Sequence, residues 1–169
     1  AGLFRRGALD DLGLDRDVGA LVAYYRNEGY LDVRADRIIR PSPNSKEALV
    51  VFLIEEGPVY TLRSLEVEFA PGADQAVFTR EQVQGLLALN PGDVYSKGLV
   101  DESLTAIRSA YGQLGYADAF NAETGAVRAF ELRDPQRPEV DLLLRINPGR
   151  RYTTGEVVIS GNNITKQNV

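Results

Sequence analysis

The sequence predicts an α+β fold in which one short unit, β-α-α-β-β, is written more than once. Three matches within the chain support this. "YYRNEGYLD" at 24–32 returns as "YGQLGYAD" at 111–118, so that Tyr25 and Tyr111, Gly29 and Gly115, and Tyr30 and Tyr116 all stand 86 residues apart. "EEGPVYTLRSLEVEF" at 55–69 matches "NPGRRYTTGEVVISG" at 147–161, with Gly57 and Gly149, and Tyr60 and Tyr152, 92 apart. "TREQV" at 79–83 and "TKQNV" at 165–169 are again 86 apart. The offset therefore grows by six and later shrinks by six, which places the length differences in two loops, as a duplicated fold tolerates them.

The complete unit can be followed from residue 60. Leu65, Val67 and Phe69 alternate with Glu66 and Glu68, the pattern of a half-buried strand. Thr79 and Gln82 form a capping box that opens a short helix, whose stripe is Val83, Leu86 and Leu87 and whose end is expected at Asn90-Pro91-Gly92. Ser96 is the expected cap of a second helix with Val100, Leu104, Ile107, Tyr111 and Leu114 on one face. A strand is expected to start at about Tyr116. After the turn-rich "RDPQRPE", a last strand puts Val140, Leu142, Leu144 and Ile146 on one side. Two helices on one face of a three-stranded mixed sheet is the expected architecture.

The first copy begins in mid-pattern, with a helix remnant in "GLFRRGALDDL". Asp15 is the expected N-cap of its second helix, which carries Val18, Leu21, Val22 and Tyr25 on one face. Strands are expected around 30–40 and 48–56. The expected division is 1–58, a unit without its first strand; 59–150, a complete unit; and 151–169, the first strand and helix start of a third. In this scheme Tyr25 and Tyr111 lie on the buried stripe of a helix. Gly29 and Gly115 end it with a positive φ, and Tyr30 and Tyr116 open the following strand.

Composition excludes several functions. The 169 residues contain 24 acidic and 19 basic side chains, a net charge of −5, with no basic, aromatic-rich patch for nucleic acid. Cysteine and histidine are absent, which removes thiolate and imidazole metal sites and the usual nucleophile–base pairs. Adjacent carboxylates such as Glu55-Glu56 point to opposite faces of a strand and make a poor acid/base pair. No catalytic residue, metal or cofactor is expected.

The unit order, "RNEGYLD" in register with "GRRYTTGEVVISGN", and "EEGPVY" between units together resemble the POTRA repeats of the BamA family of outer-membrane barrel assembly factors. Gly57, Tyr60, Gly149, Tyr152, Gly161 and Asn162 match the inter-unit pattern, while Phe69-Ala70 departs from the Gly-Asn expected there. The resemblance implies a non-enzymatic periplasmic scaffold ahead of a C-terminal membrane β-barrel. Its implied partners are unfolded outer-membrane proteins and accessory lipoproteins or periplasmic chaperones. A secretion pore or autotransporter assembly factor with the same repeat, and a purely structural spacer, are the alternatives.

An open sheet has edges with unpaired N–H and C=O groups, so β-augmentation is the physical activity such a unit offers. The expected edge strands carry Leu31, Val33 and Ala35 in the first copy and Ala117, Ala119, Asn121 and Val127 in the second. The strand expected at 152–160 is a candidate for strand exchange onto the open sheet of another copy.

Overall fold

The computed structural model describes residues 10–43, 47–71, 77–121 and 127–158. The elements run α1 (Asp11–Asn27), β1 (Arg34–Pro41), β2 (Ala48–Glu55), β3 (Thr61–Phe69), α2 (Arg80–Gln84), α3 (Lys97–Gln113), a 3-10 helix (Ala117–Phe120), β4 (Val127–Arg133) and β5 (Glu139–Ile146). They form an antiparallel β1-β2 pair and a three-stranded sheet of order β3-β5-β4. β5 is central, parallel to β3 and antiparallel to β4, so the larger sheet is mixed.

The core of this α+β unit lies between its sheet and helices. Val140, Leu142, Leu144 and Ile146 of β5 are all buried, because a central strand's inner face meets α3 while its two neighbours cover its edges. α3 contributes Val100, Leu104, Ile107 and Tyr111, at the predicted helical spacing, and Ser96 caps it by accepting from Leu99 N. Burying each such aliphatic side chain stabilises the fold by about 1.5–3 kcal/mol. Leu114, the last residue of the predicted stripe, lies beyond the helix end and is exposed.

The capping box on α2 forms in both directions: Thr79 N donates to Gln82 Oε1 and Gln82 N to Thr79 Oγ1. The helix is shorter than expected, ending at Gln84 before Gly85, a poor helix former. The chain from 86 to 95 then runs back beside β3. Leu62 N donates to Asp93 O, Gly92 N to Leu62 O, and Tyr95 N to Tyr60 O, so the start of β3 is covered on its outer side.

The first copy differs in its helix. α1 begins at Asp11 after Asp10, and Asp15 lies within it, where its carboxylate receives Arg37 Nε at 3.0 Å and Nη2 at 2.9 Å. That ion pair holds Asp15 on the helix flank, away from any cap role. No residue of α1 is fully buried and Tyr25 is only half-buried, since a two-stranded sheet gives the helix less surface than α3 has.

Two strand expectations are overturned. β1 starts at Arg34, after a turn, so Leu31 and Val33 precede it and are buried. Tyr116 is followed by the 3-10 helix, so Ala117 and Ala119 are helical, Ala119 is buried, and Asn121 is its C-cap. In both places the residues after Gly-Tyr turn inward to pack before any strand begins. The segment 151–158 forms no strand; among the described residues none runs beside it, and Tyr152 N donates to Gly115 O of its own chain. Gly161, Asn162 and most of the predicted "GLFRRGALDDL" remnant lie outside the described residues.

Candidate functional site

The repeated sequence builds the same joint twice. Gly29 ends the first helix segment with φ 93° and Gly115 the second with φ 92°. Behind each glycine an aromatic pair packs edge to face, Tyr25 on Tyr30 at 5.7 Å and Tyr111 on Tyr116 at 5.9 Å. Tyr30 N donates back to Tyr25 O, and Tyr116 N to Tyr111 O. The glycine carbonyl then receives the backbone of the next tyrosine: Tyr60 N on Gly29 O at 2.9 Å, Tyr152 N on Gly115 O at 2.8 Å.

A carboxylate closes each joint. Tyr60 Oη donates to Asp32 Oδ2 at 2.8 Å, and Tyr152 Oη lies 3.3 Å from Asp118 Oδ2. Gly57 and Gly149, both at positive φ, let the backbone approach these aspartates; a Cβ on Gly57 would sit 3.2 Å from Asp32 Cβ. The hydrogen bond to Asp32, with burial second, raises the Tyr60 pKa.

Further contacts cross both joints: at the second, Arg150 N donates to Asp118 Oδ2 at 3.3 Å and Arg151 Nε to Leu114 O at 3.0 Å, and at the first they come from β4 and α3. Arg133 Nη1, at the end of β4, donates to Asp32 Oδ1 at 3.0 Å, and its guanidinium lies 5.7 Å from the Tyr60 ring centroid. Asn27 Oδ1 accepts from Gly98 N at 2.8 Å in the first turn of α3, where an N–H has no helical partner. The predicted glycines and tyrosines within the described residues thus come together, but Asp32, Asp118, Asn27 and Arg133 are absent from the expected site. The two aspartates stand 86 residues apart within "EGYLD" and "LGYAD", so the repeat itself carried that signal. Asn27 and Arg133 leave no comparable mark.

The second candidate surface is the edge strand β4. Its phase is set by Asp134 N donating to Glu139 O, which makes that pair a hydrogen-bonded one in a register without shifts. Antiparallel pairs alternate, so the backbone groups of Ala129, Glu131 and Arg133 point away from β5. Val127, the one predicted edge residue on β4, has its carbonyl taken by Arg108 Nη2 at 2.8 Å and its side chain buried. On β1 the bond from Ser42 N to Glu47 O sets the same kind of phase, and Ala35, Arg37 and Ile39 face outward. Pro41 falls in that outward row, where a missing N–H breaks no ladder bond.

Two side chains on the outward row of β4, Glu131 and Arg133, are charged and paired. Burial pushes the Glu131 carboxyl up, but the Lys97 ammonium at 2.8 Å, together with Tyr95 and Arg133, more than reverses this and leaves it below the usual carboxylate range. On the solvent face of the sheet, Arg63 binds Asp141 and Asp134.

Comparison with known proteins agrees with this architecture. Residues 66–149 match the POTRA family, described as a surface antigen variable number repeat. The chain is 24% identical over 168 residues to the outer membrane protein assembly factor BamA of Neisseria meningitidis serogroup B, covering 99% of this chain and 20% of that protein. It is 21% identical to a putative outer membrane protein assembly factor of Treponema pallidum, over 96% of this chain and 19% of that protein. The chain thus spans about a fifth of these relatives' length. Among solved structures, the POTRA3-5 region of Haemophilus influenzae BamA superposes with a TM-score of 0.67 at 21% identity, covering 95% of this chain and 60% of that one. Haemophilus ducreyi BamA lacking POTRA domains 1-3 gives 0.61 at 13% identity, over 82% of this chain and 23% of that one.

The fold and its twice-built joint define a POTRA-type scaffold, a class of domain that carries no enzymatic activity. Residues 66–149 belong to the POTRA family, and the fold of the chain is that of the POTRA domains of BamA-family factors.

Proposed function

We propose that this chain is a periplasmic POTRA module of an outer-membrane protein assembly factor, which receives extended segments of unfolded barrel proteins along the free edge of β4. The observation that carries this reading is the outward row of Ala129, Glu131 and Arg133 on an edge strand of regular register. Main-chain pairing is largely indifferent to client sequence, which suits a varied set of barrel strands. Under this reading residues 1–58, 59–150 and 151–169 belong to three successive units, accessory lipoproteins or periplasmic chaperones are further partners, and a membrane barrel belongs to the same protein.

The test is a titration of the labelled chain with a short peptide of alternating apolar and polar residues, followed by amide shifts. Shifts concentrated at 129, 131 and 133, lost when alternate peptide residues are N-methylated, are expected. Shifts spread over α1 and α3, or unchanged by N-methylation, would overturn edge pairing.

A spacer role is the second reading, supported by the ion pairs that engage Glu131 and Arg133 beside the edge. It predicts no saturable shift anywhere on β4.

A further inference from the structure

Asp32 is the meeting point of three elements that the sequence keeps far apart. It sits in the turn after α1. Its Oδ2 accepts from Tyr60, which directly precedes β3, and its Oδ1 accepts from Arg133, the last residue of β4. The distances are 2.8 and 3.0 Å, so one carboxylate satisfies two donors of the following unit at once. Arg133 is also an outward-facing position of the edge strand, and Asn27 binds the first turn of α3 beside the same joint. At the second joint Asp118 accepts from Tyr152 Oη and from Arg150 N, both of which belong to the incoming segment.

We infer that Asp32 locks the orientation of the two units through Arg133, and so couples the inter-unit angle to occupancy of the β4 edge. A strand added along β4 must form its hydrogen bonds beside Arg133, whose side chain is already committed to Asp32 and to the face of Tyr60. Binding and joint geometry therefore share one residue, and linkage requires that each bias the other by the same factor. Asp32 and Arg133 are positioning residues in this scheme. The coupling rests on the edge-pairing reading above, whereas the lock itself does not.

The chain has no cysteine, so Ala23→Cys on α1 and Glu102→Cys on α3, both at exposed positions, can carry a single spin-label pair. Pulsed electron–electron distance measurement should give one narrow distribution. Its width should at least double in Asp32→Ala and in Arg133→Ala, with no further broadening in the double variant because the two share one contact. Asp32→Asn, which keeps the shape and an acceptor for Tyr60 but loses the charge facing Arg133, covers the case where the alanine variant misfolds. Circular dichroism of each variant reports folding. An unchanged width in folded Asp32→Asn and Arg133→Ala would overturn the lock.

The alternating peptide is then titrated into the parent chain and Asp32→Asn. A change of about threefold or more in Kd supports the coupling; equal Kd values overturn it. If the peptide binds neither protein, the edge-pairing reading and the coupling fall, while the distance widths still decide the lock.

Discussion

Tyr60 and Asp32 stand 28 residues apart and hydrogen-bond at 2.8 Å across the joint between two units; Tyr152 and Asp118 repeat the relationship 34 residues apart at 3.3 Å. The six-residue difference is the longer connection of the second copy, and it leaves the joint intact. Asp32→Ala removes the acceptor from a tyrosine that is itself buried. The expected loss is about 1.5 kcal/mol, the low end for a bond to a charged group because Asp32 is half exposed. Urea unfolding of the parent and variant measures it.

The joint also depends on backbone geometry. Gly29→Ala places a residue that disfavours positive φ at 93° and sets its Cβ 2.6 Å from a Val94 methyl, so a loss of about 2 kcal/mol or more is expected. Gly92 has φ 99° but open space around it, and Gly92→Ala should cost about 1 kcal/mol. Gly115→Ala meets the Tyr152 carbonyl oxygen, a backbone atom. It should detach the 150–152 segment, read as loss of amide protection at Tyr152. Thermal melts that ranked Gly92→Ala below Gly29→Ala would contradict this account.

The central strand should be the least tolerant element. Leu144 is fully buried on β5, and Leu144→Ala should cost about 2–5 kcal/mol through lost transfer energy and an unfilled cavity. Phe130 lies on the solvent face of neighbouring β4, 38% exposed. Phe130→Ala should cost under about 1 kcal/mol. Denaturant midpoints of the two variants give the comparison.

Acid should weaken the sheet through its outer face. The Arg63 guanidinium, helped by the Ser64 hydroxyl, holds the Asp141 carboxyl down at about 2, against an ordinary value of 3.8. A depressed carboxyl contributes stability that is complete above its unfolded pKa and is lost as pH falls through the folded one. The loss should therefore run from about pH 4 to pH 2. Asp134 adds to it: the Gln136 backbone N–H, then Arg63, lowers its pKa too. Asp141→Asn should flatten the acid limb of a stability–pH profile, and an identical limb in the variant would exclude Asp141 as its source.

The elements whose side chains report periodicity were readable from the sequence. Val140 to Ile146 alternates because β5 has one face on the core, and Val100 to Tyr111 keeps helical spacing because α3 covers that face. Positions at the ends of elements were not readable. Leu31, Val33 and Ala119 look like strand residues, yet a turn or 3-10 helix buries them, because packing against the joint overrides local preference. Arg133 was invisible as a joint residue: its partner Asp32 lies 101 positions away, and a single contact of that range leaves no local pattern.

The middle of the larger sheet is the last element of its unit to leave the ribosome or a translocation channel. β3 and β4 touch only through β5, and from Ser64 and its partner Asp141 onward the parallel register joins residues 77 apart. Neither flanking strand can dock before residues 139–146 arrive. A chain exported from its N-terminus would therefore cross as a loosely structured thread, and the unit would snap shut only once its final strand is through.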